Sequence, residues 1–323
     1  MKYMLTALDD FFAKQPFLRK NQPHLVAVSG GLDSVCLLHA LQQAGCRRLH
    51  VAHFNHRLRA RQSDSDQRFV KSLAEEWGLP FHAGQENVKA LARRQKLSIE
   101  TAAREARYAW FRSLAGTLRI PRIFLAHHAG DQIETFLQRL FRGTGMQGLC
   151  AMEPVARQQG LILLRPFLTT PRATLTDFAT ARGLDWREDP SNASPEFQRN
   201  RVRHELIPLL NDIFKRDVSP NILRTIEILT EDHLALRPAP TPVRFPVTAL
   251  RKMSVALQRR TIHAWLCVRH KIAGVTFEQV ENVRALALPG NPTHRCNLSR
   301  GNHVSRRQGL LRIEKNQARP LAP

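Results

Sequence analysis

The stretch HLVAVSGGLDS, residues 24–34, decides the fold. An apolar run over 25–28 leads straight into Gly30 and Gly31, with Ser29, Leu32, Asp33 and Ser34 completing the motif. Apolar residues then recur at Val35, Leu38 and Leu41, the spacing of one helix face. This is a strand that turns abruptly into a helix. The glycines permit positive φ and close backbone approach to a ligand. The helix start offers free N–H groups and the positive end of its dipole, and Ser29 and Ser34 add hydroxyl donors. The turn therefore reads as a phosphate site, with a plain capped turn as the alternative. It is not G-x-x-x-x-G-K-[ST], because no lysine follows, nor G-x-G-x-x-G, because the glycines are adjacent.

The same alternation continues outward. LHVAHF (49–54) precedes a helical pattern carrying Phe69, Leu73 and Trp77, and LPFHA (79–83) precedes a long helix over 98–118. RIFLAHH (122–128) precedes DQIETFLQRLFRG. Four strand–helix units predict an α/β fold, a parallel twisted sheet with helices on both faces. Ligands of such sheets gather beyond the C-terminal strand ends, where SGGLDS, HFNHRLR and HHAGDQIE fall. LILLRPF (161–167) offers a fifth strand, followed by a helix between Pro171 and Gly183. DWREDPSNASPEFQRNR (185–201) has no periodicity and reads as a surface loop. RPAPTPVRFPV (237–247) holds four prolines in eleven residues and marks a linker. The organisation predicted is a nucleotide-binding catalytic domain over 1–210, a helical connector over 211–236, and a small basic domain over 237–323, α/β or mainly helical.

Charge points to the partner. The net charge is +22, and the residues from Leu236 onward carry 16 Lys and Arg against three acids, a net +13. A polyanion whose phosphates release counterions on binding is the natural ligand, against the alternative of a merely basic enzyme. The hydrophobic fraction is 43%, an ordinary value for a globular chain. No apolar run approaches the roughly 20 residues needed to span a membrane, and MKYMLTALDDFFAKQ lacks a signal-peptide core. Cys36, Cys46, Cys150, Cys267 and Cys296 are scattered without a C-x-x-C pair. That argues against a disulfide framework, an Fe–S cluster and a structural zinc, and for a reducing cytoplasmic setting.

At this point the chain resembles the tRNA(Ile)-lysidine synthases, a family of PP-loop ATP pyrophosphatases. The resemblance rests on SGGLDS, HFNHRLR (53–59), AREARYAWF (103–111), AHHAGDQIETFLQRLFRGTGMQGLCAM (126–152), RPFLTTPR (165–172) and EDPSNASPEFQRNRVRHELIPLL (188–210). It implies ATP-dependent adenylation of C2 of the wobble cytidine in a tRNA(Ile) with a CAU anticodon, then attack by L-lysine to give lysidine. It implies ATP held by residues 29–34 with His53 and Asn55, and Mg²⁺ on Asp33. His56 and Arg59 are as readily structural, and a zinc reading of His53 and His56 lacks a third ligand.

The resemblance places lysine on Asp131 and Glu134, with His127 or His128 accepting a proton. The spacing alone equally fits a capping box, Asp131 capping and Glu134 reaching back. Arg199, Asn200, Arg201 and Arg203 are implied contacts of the adenylate, with no ranking among them. The tRNA backbone falls to Arg259, Arg260, Arg306 and Arg307, while Trp265 and Phe277 read as core. The sequence matches a compact form of the family, and a homodimer is compatible with it. Three alternatives remain: a PP-loop cytidine thiolase, a small-molecule ligase of GMP-synthetase type, and a nucleic-acid-binding protein with a vestigial nucleotide site.

Overall fold

The computed structural model describes residues 2–58, 60–188, 198–236, 241–272, 274–298 and 301–315. Arg59 and most of the loop expected between 185 and 201 lie outside the described residues. The chain divides into two compact units, Met1–Leu229 and Thr230–Pro323, so the division falls inside the segment expected as a connector.

The first unit runs α1 (Lys2–Ala13), β1 (His24–Ala27), α2 (Leu32–Gln43), β2 (Leu49–Asn55), α3 (Ala60–Glu76) and β3 (Phe81–Gln85). It continues with α4 (Val88–Gln95), α5 (Ile99–Leu118), β4 (Arg122–Phe124), α6 (Ala129–Arg142) and α7 (Met146–Leu149). Then come β5 (Val155–Gln158), β6 (Leu161–Leu164), α8 (Arg172–Thr180), α9 (Gln198–Arg201), α10 (Ile207–Phe214) and α11 (Ser219–Ala235). A wide π-type turn, Val202–Leu206, joins α9 to α10.

The sheet order is β3-β2-β1-β4-β6-β5. The first five strands of that order are parallel, which puts all their C-terminal ends on one edge. Chain order reverses between β1 and β4, and the crevice at such a reversal is where ligands bind in doubly wound sheets. β5 was not expected and pairs antiparallel with β6. Its hairpin turns on Gln159 and Gly160, both at positive φ (50° and 86°).

Helices cover both faces, as the alternation predicts. Val26, Val51, Phe124 and Leu164 point into one core with α1, α2 and α8, while Leu25, Ala52, Ile123 and Leu163 meet Tyr108 and Phe111 of α5 on the other. Gly84 of β3 is needed there, since a Cβ would come within 2.3 Å of the Trp110 indole.

The second unit combines helices with a sheet, the mixed alternative of the two expected, and that sheet is antiparallel. β7 (Phe245–Pro246), α12 (Val247–Arg251), α13 (Val255–Ala264) and α14 (Phe277–Leu286) precede β8 (Arg295–Asn297), β9 (Asn302–Arg307) and β10 (Leu310–Lys315). The strand order is β7-β10-β9-β8, every pairing antiparallel. Trp265 is fully buried in this core, as expected, and its indole N–H donates to the Pro242 carbonyl at 3.0 Å.

Candidate functional site

The turn after β1 holds itself in shape. Gly30 takes φ +94°, and a Cβ there would crowd Val70 at 3.2 Å and Phe69 at 3.3 Å. Gly31 has an ordinary φ of −76°, so only one of the two glycines is used for positive φ. Ser34 Oγ donates to the Gly31 carbonyl (2.9 Å) and accepts the Ser29 N–H (3.1 Å), and Ser29 Oγ accepts the Gly31 N–H (3.3 Å). The serines expected to face a phosphate therefore first close the turn. The N-terminus of α2 above it bears Asp33.

Asp33 starts a run of charged groups across the sheet edge. Its Oδ2 is 3.8 Å from His128 Nε2, and Asp131 Oδ2 is 3.7 Å from the same nitrogen. His128 Nδ1 accepts the Gly130 N–H at 3.0 Å, which places the ring proton on Nε2, towards the two carboxylates. Asp33 Oδ1 is buried without a hydrogen bond. Burial raises the Asp33 pKa, with His128 and Arg172 opposing and Asp131 adding to it. Burial opposes the charge on Asp131 too, but His128, Arg199 and His127 outweigh it and hold that carboxyl below its ordinary range.

A capping box does open α6, with altered membership. His128 is the N-cap, and Asp131 reaches back to accept the His128 N–H at 2.8 Å. Glu134 takes no part. It is 1% exposed and faces two arginines from 65 and 69 residues further along the chain. Arg199 donates from Nε to Glu134 Oε2 (2.5 Å) and from Nη2 to Asp131 Oδ1 (2.7 Å), and Arg203 donates from Nε to Glu134 Oε1 (2.6 Å). Every oxygen of Asp131 and Glu134 is thus engaged, and neither acid presents a free one to an ammonium. Arg199 and Arg203 can reach them together because one turn of helix separates them. Arg201 faces away, at 62% side-chain exposure, and pairs with Glu205. Asn200 lies between them, partly buried. Of the four residues expected at the adenylate, the fold brings Arg199 and Arg203 to the acids and turns Arg201 outward.

His127 is a neutral imidazole here. Burial lowers its pKa to about 3, Asp131 opposing and Arg165, Arg199 and Arg107 adding, and its buried Nδ1 has no partner. His53 is 4% exposed and donates from Nδ1 to the Val28 carbonyl at 2.9 Å, leaving Nε2 as an acceptor beside the turn. Asn55 is spent on the protein itself. Its amide donates to Ser63 O, Asp64 Oδ1 and Gln67 Oε1, and its oxygen takes the Arg57 N–H, so it shapes the β2–α3 connection. Two residues overlooked in the sequence join the site. Arg172 Nε stands 3.8 Å from Asp33 Oδ1, and Arg107 carries a buried Nε with no hydrogen bond. The available signal was position: Arg172 follows the fifth strand's C-terminal end.

Among the described residues no group of three or more His, Cys, Asp or Glu side chains is placed to hold a metal by itself. The five cysteines are free, and burial pushes the Cys36 and Cys46 thiols up to about 12. No described helix is long and apolar enough to cross a membrane.

In the second unit the four arginines expected on a polyanion divide. Arg306 donates to the Leu286 and Asn291 carbonyls, both at 2.8 Å, and so ties β9 to the end of α14. That occupies the guanidinium within the fold. Arg259 pairs with Glu281 at 2.7 Å, Arg260 donates to the Leu236 carbonyl at 3.3 Å, and Arg307 is exposed. Phe277 is not core. It is 66% exposed, with the Arg259 guanidinium 5.2 Å from its ring centre, because it stands at the first position of α14 on the solvent side.

A family model described as a PP-loop domain matches residues 3–210, and one described as a TilS substrate binding domain matches residues 245–312. The curated tRNA(Ile)-lysidine synthase of Geobacter sulfurreducens is 38% identical over 304 residues, covering 89% of this chain and 64% of that protein. That of Thermosynechococcus vestitus is 36% identical over 293 residues, 87% of this chain and 83% of that protein. The chain spans less than two thirds of the Geobacter relative and 57% of the one from Bacillus licheniformis. Among solved structures, the U34-tRNA thiolase NcsA of Methanococcus maripaludis with its [4Fe-4S] cluster superposes with a TM-score of 0.57. At 13% identity over 71% of this chain and 79% of its own, it shares the fold alone.

Proposed function

Because the chain belongs to the tRNA(Ile)-lysidine synthase family of PP-loop proteins, we propose that it ligates L-lysine to C2 of the wobble cytidine of a tRNA(Ile) with a CAU anticodon, consuming ATP. The observation that carries this reading is the convergence of the phosphate turn, two carboxylates and two arginines on one sheet edge.

The cytidine C2 oxygen attacks the α-phosphorus, the bond to the β-phosphate oxygen breaks, and pyrophosphate leaves. The lysine ε-amine then attacks C2, gives up a proton, and AMP departs with the oxygen. For the first step the turn at 29–34 and the α2 N-terminus face the phosphates, and His53 Nε2 offers an acceptor to the nucleoside. Asp33 suits Mg²⁺, since its Oδ1 is buried without a hydrogen bond and a hard cation takes one or two carboxylates plus phosphate oxygens. Bound there, Mg²⁺ would neutralise the departing pyrophosphate.

For the second step Arg199 and Arg203 have two suitors. An anionic α-phosphate takes the two arginines as the lysine ammonium takes their place on Asp131 and Glu134. His127, uncharged and with an unpartnered nitrogen, is the base we favour over His128, whose Nδ1 caps α6. The catalytic work belongs to Met1–Leu229 and the tRNA grip to Thr230–Pro323. A cytoplasmic location and a homodimer form part of the same reading. Cytidine thiolation is less well served, because Cys36 and Cys46 are buried with thiols pushed up to about 12.

The deciding assay follows pyrophosphate release with and without tRNA and lysine. Release that needs tRNA supports the reading, and turnover without tRNA ends it. Asp131→Asn is expected to raise the lysine concentration for half-maximal rate about tenfold or more, leaving AMP transfer to tRNA measurable. An unchanged lysine requirement removes Asp131 from lysine recognition.

Arg306 and Arg307 make a paired prediction. Arg306→Ala should cost about 1–2 kcal/mol of stability through two stranded carbonyls and leave the salt dependence of tRNA binding unchanged. Arg307→Ala should do the reverse, lowering the slope of log K against log salt by about 1. Unfolding by denaturant and filter binding across a salt series read the two.

A further inference from the structure

The phosphate turn has no lysine, so the cation that meets a nucleotide's outer phosphates must come from elsewhere in the chain. Three basic groups act on Asp33: His128, Arg172 and Arg203. His128 is shared with Asp131 and caps α6, and Arg203 is bonded to Glu134 at 2.6 Å. Of the three, Arg172 is the one whose side chain makes no hydrogen bond among the described residues. Its Nε lies 3.8 Å from Asp33 Oδ1, beyond hydrogen-bond reach, and its side chain is 55% exposed.

Its backbone is nevertheless fixed. Arg172 is the first residue of α8, directly after Pro171 at the N-cap. The preceding Thr170 is fully buried, and its carbonyl accepts the Ala129 N–H at 3.0 Å, which ties this corner to the start of α6. β6, which feeds the corner, is parallel to β4, and β4 to β1. The guanidinium therefore stands on the same edge as the turn, an unspent side chain on an anchored base.

We propose that Arg172 supplies the cation missing from the turn, gripping the β- and γ-phosphates of ATP and staying with pyrophosphate until it leaves. Arg199 and Arg203 then serve the α-phosphate alone. This rests on the ATP-cleaving reading above, and deepens it by dividing the phosphates between two segments of the chain.

Binding of pyrophosphate and of AMP to the whole chain, each with Mg²⁺, separates the two ends of the nucleotide. In Arg172→Ala the pyrophosphate dissociation constant should rise about tenfold or more, as expected for a lost charge-assisted contact. AMP affinity should stay within about twofold, a change of little energetic weight. Arg172→Lys should recover part of the pyrophosphate affinity, since it restores charge without the planar fork. Pyrophosphate affinity unchanged in Arg172→Ala overturns the proposal. So does an equal loss for AMP and pyrophosphate, which would mean that the residue only supports Asp33 and the turn. Failure of the underlying reading looks different, as pyrophosphate release by the unaltered chain that does not need tRNA.

Discussion

Glu134→Gln is expected to inactivate the protein and loosen its first unit together. Glu134 is 1% exposed and accepts from both Arg199 and Arg203. A glutamine keeps one acceptor and turns an NH₂ group towards the other guanidinium, so one arginine is left facing a donor in a nearly closed site. Breaking a buried ion pair from one side costs about 3–5 kcal/mol. The arginines retain side-chain exposures of 33% and 28%, which favours the lower end of that range. About 3 kcal/mol corresponds to a fall of about 6–12 °C in the melting temperature of a unit the size of Met1–Leu229. Lysine-dependent turnover should fall by about two orders of magnitude or more, since the proposed lysine recognition and the placement of both arginines pass through this carboxylate. Calorimetry and a lysine titration check the two halves. A stable variant with normal lysine dependence would detach Glu134 from the site.

Asp33→Asn is expected to separate activity from stability. Burial raises the Asp33 pKa above its unfolded value. A carboxyl raised in this way favours the fold while protonated, and that contribution is lost as pH climbs through the folded pKa. At neutral pH the charged form is therefore a cost to folding. Asparagine keeps the shape and removes the charge, so the melting temperature should rise by a few degrees. The gain should shrink as pH is lowered towards the protonated range of the native carboxyl. Mg²⁺-dependent pyrophosphate release should nonetheless drop about a hundredfold or more, because the negative charge that makes this buried oxygen a ligand for a hard cation is gone. Melting curves from pH 4 to 8 beside a turnover assay give the answer. A variant both less stable and active would reverse the assignment.

Much of this was written locally. The turn at 29–34, the strand before it and the apolar face after it are contiguous, and each obeys a short-range rule. The same holds for the clustering of chemistry on one edge, which follows from parallel strands alone. What escaped depends on pairing at a distance. β5 carries Val-Ala-Arg-Gln, half solvated at a sheet edge, so nothing alternates strongly enough to mark it. Asp131 and Glu134 show the i, i+3 spacing plainly, but the arginines that bind them come from beyond residue 198. The spacing could not distinguish an ammonium grip from an arginine dock. Asn55 looked like a ligand residue because it is polar at a strand end, and only folding reveals three acceptors around its amide. Phe277 was assigned inward from hydrophobicity alone, which does not say that its helix begins on the solvent side.

The Asp131, Glu134, Arg199 and Arg203 quartet has a further consequence as a charge balance. Two negative and two positive side chains sum to zero. A lone anion drawing off the arginines would strand two carboxylates, one of them almost entirely shut from water. A lone cation drawing off the acids would strand two guanidinium groups. Only an anion and a cation present together can exchange partners with the quartet and leave the balance intact. Such a site admits its ligands as a couple, and electroneutrality alone would tie the occupancy of one to the presence of the other.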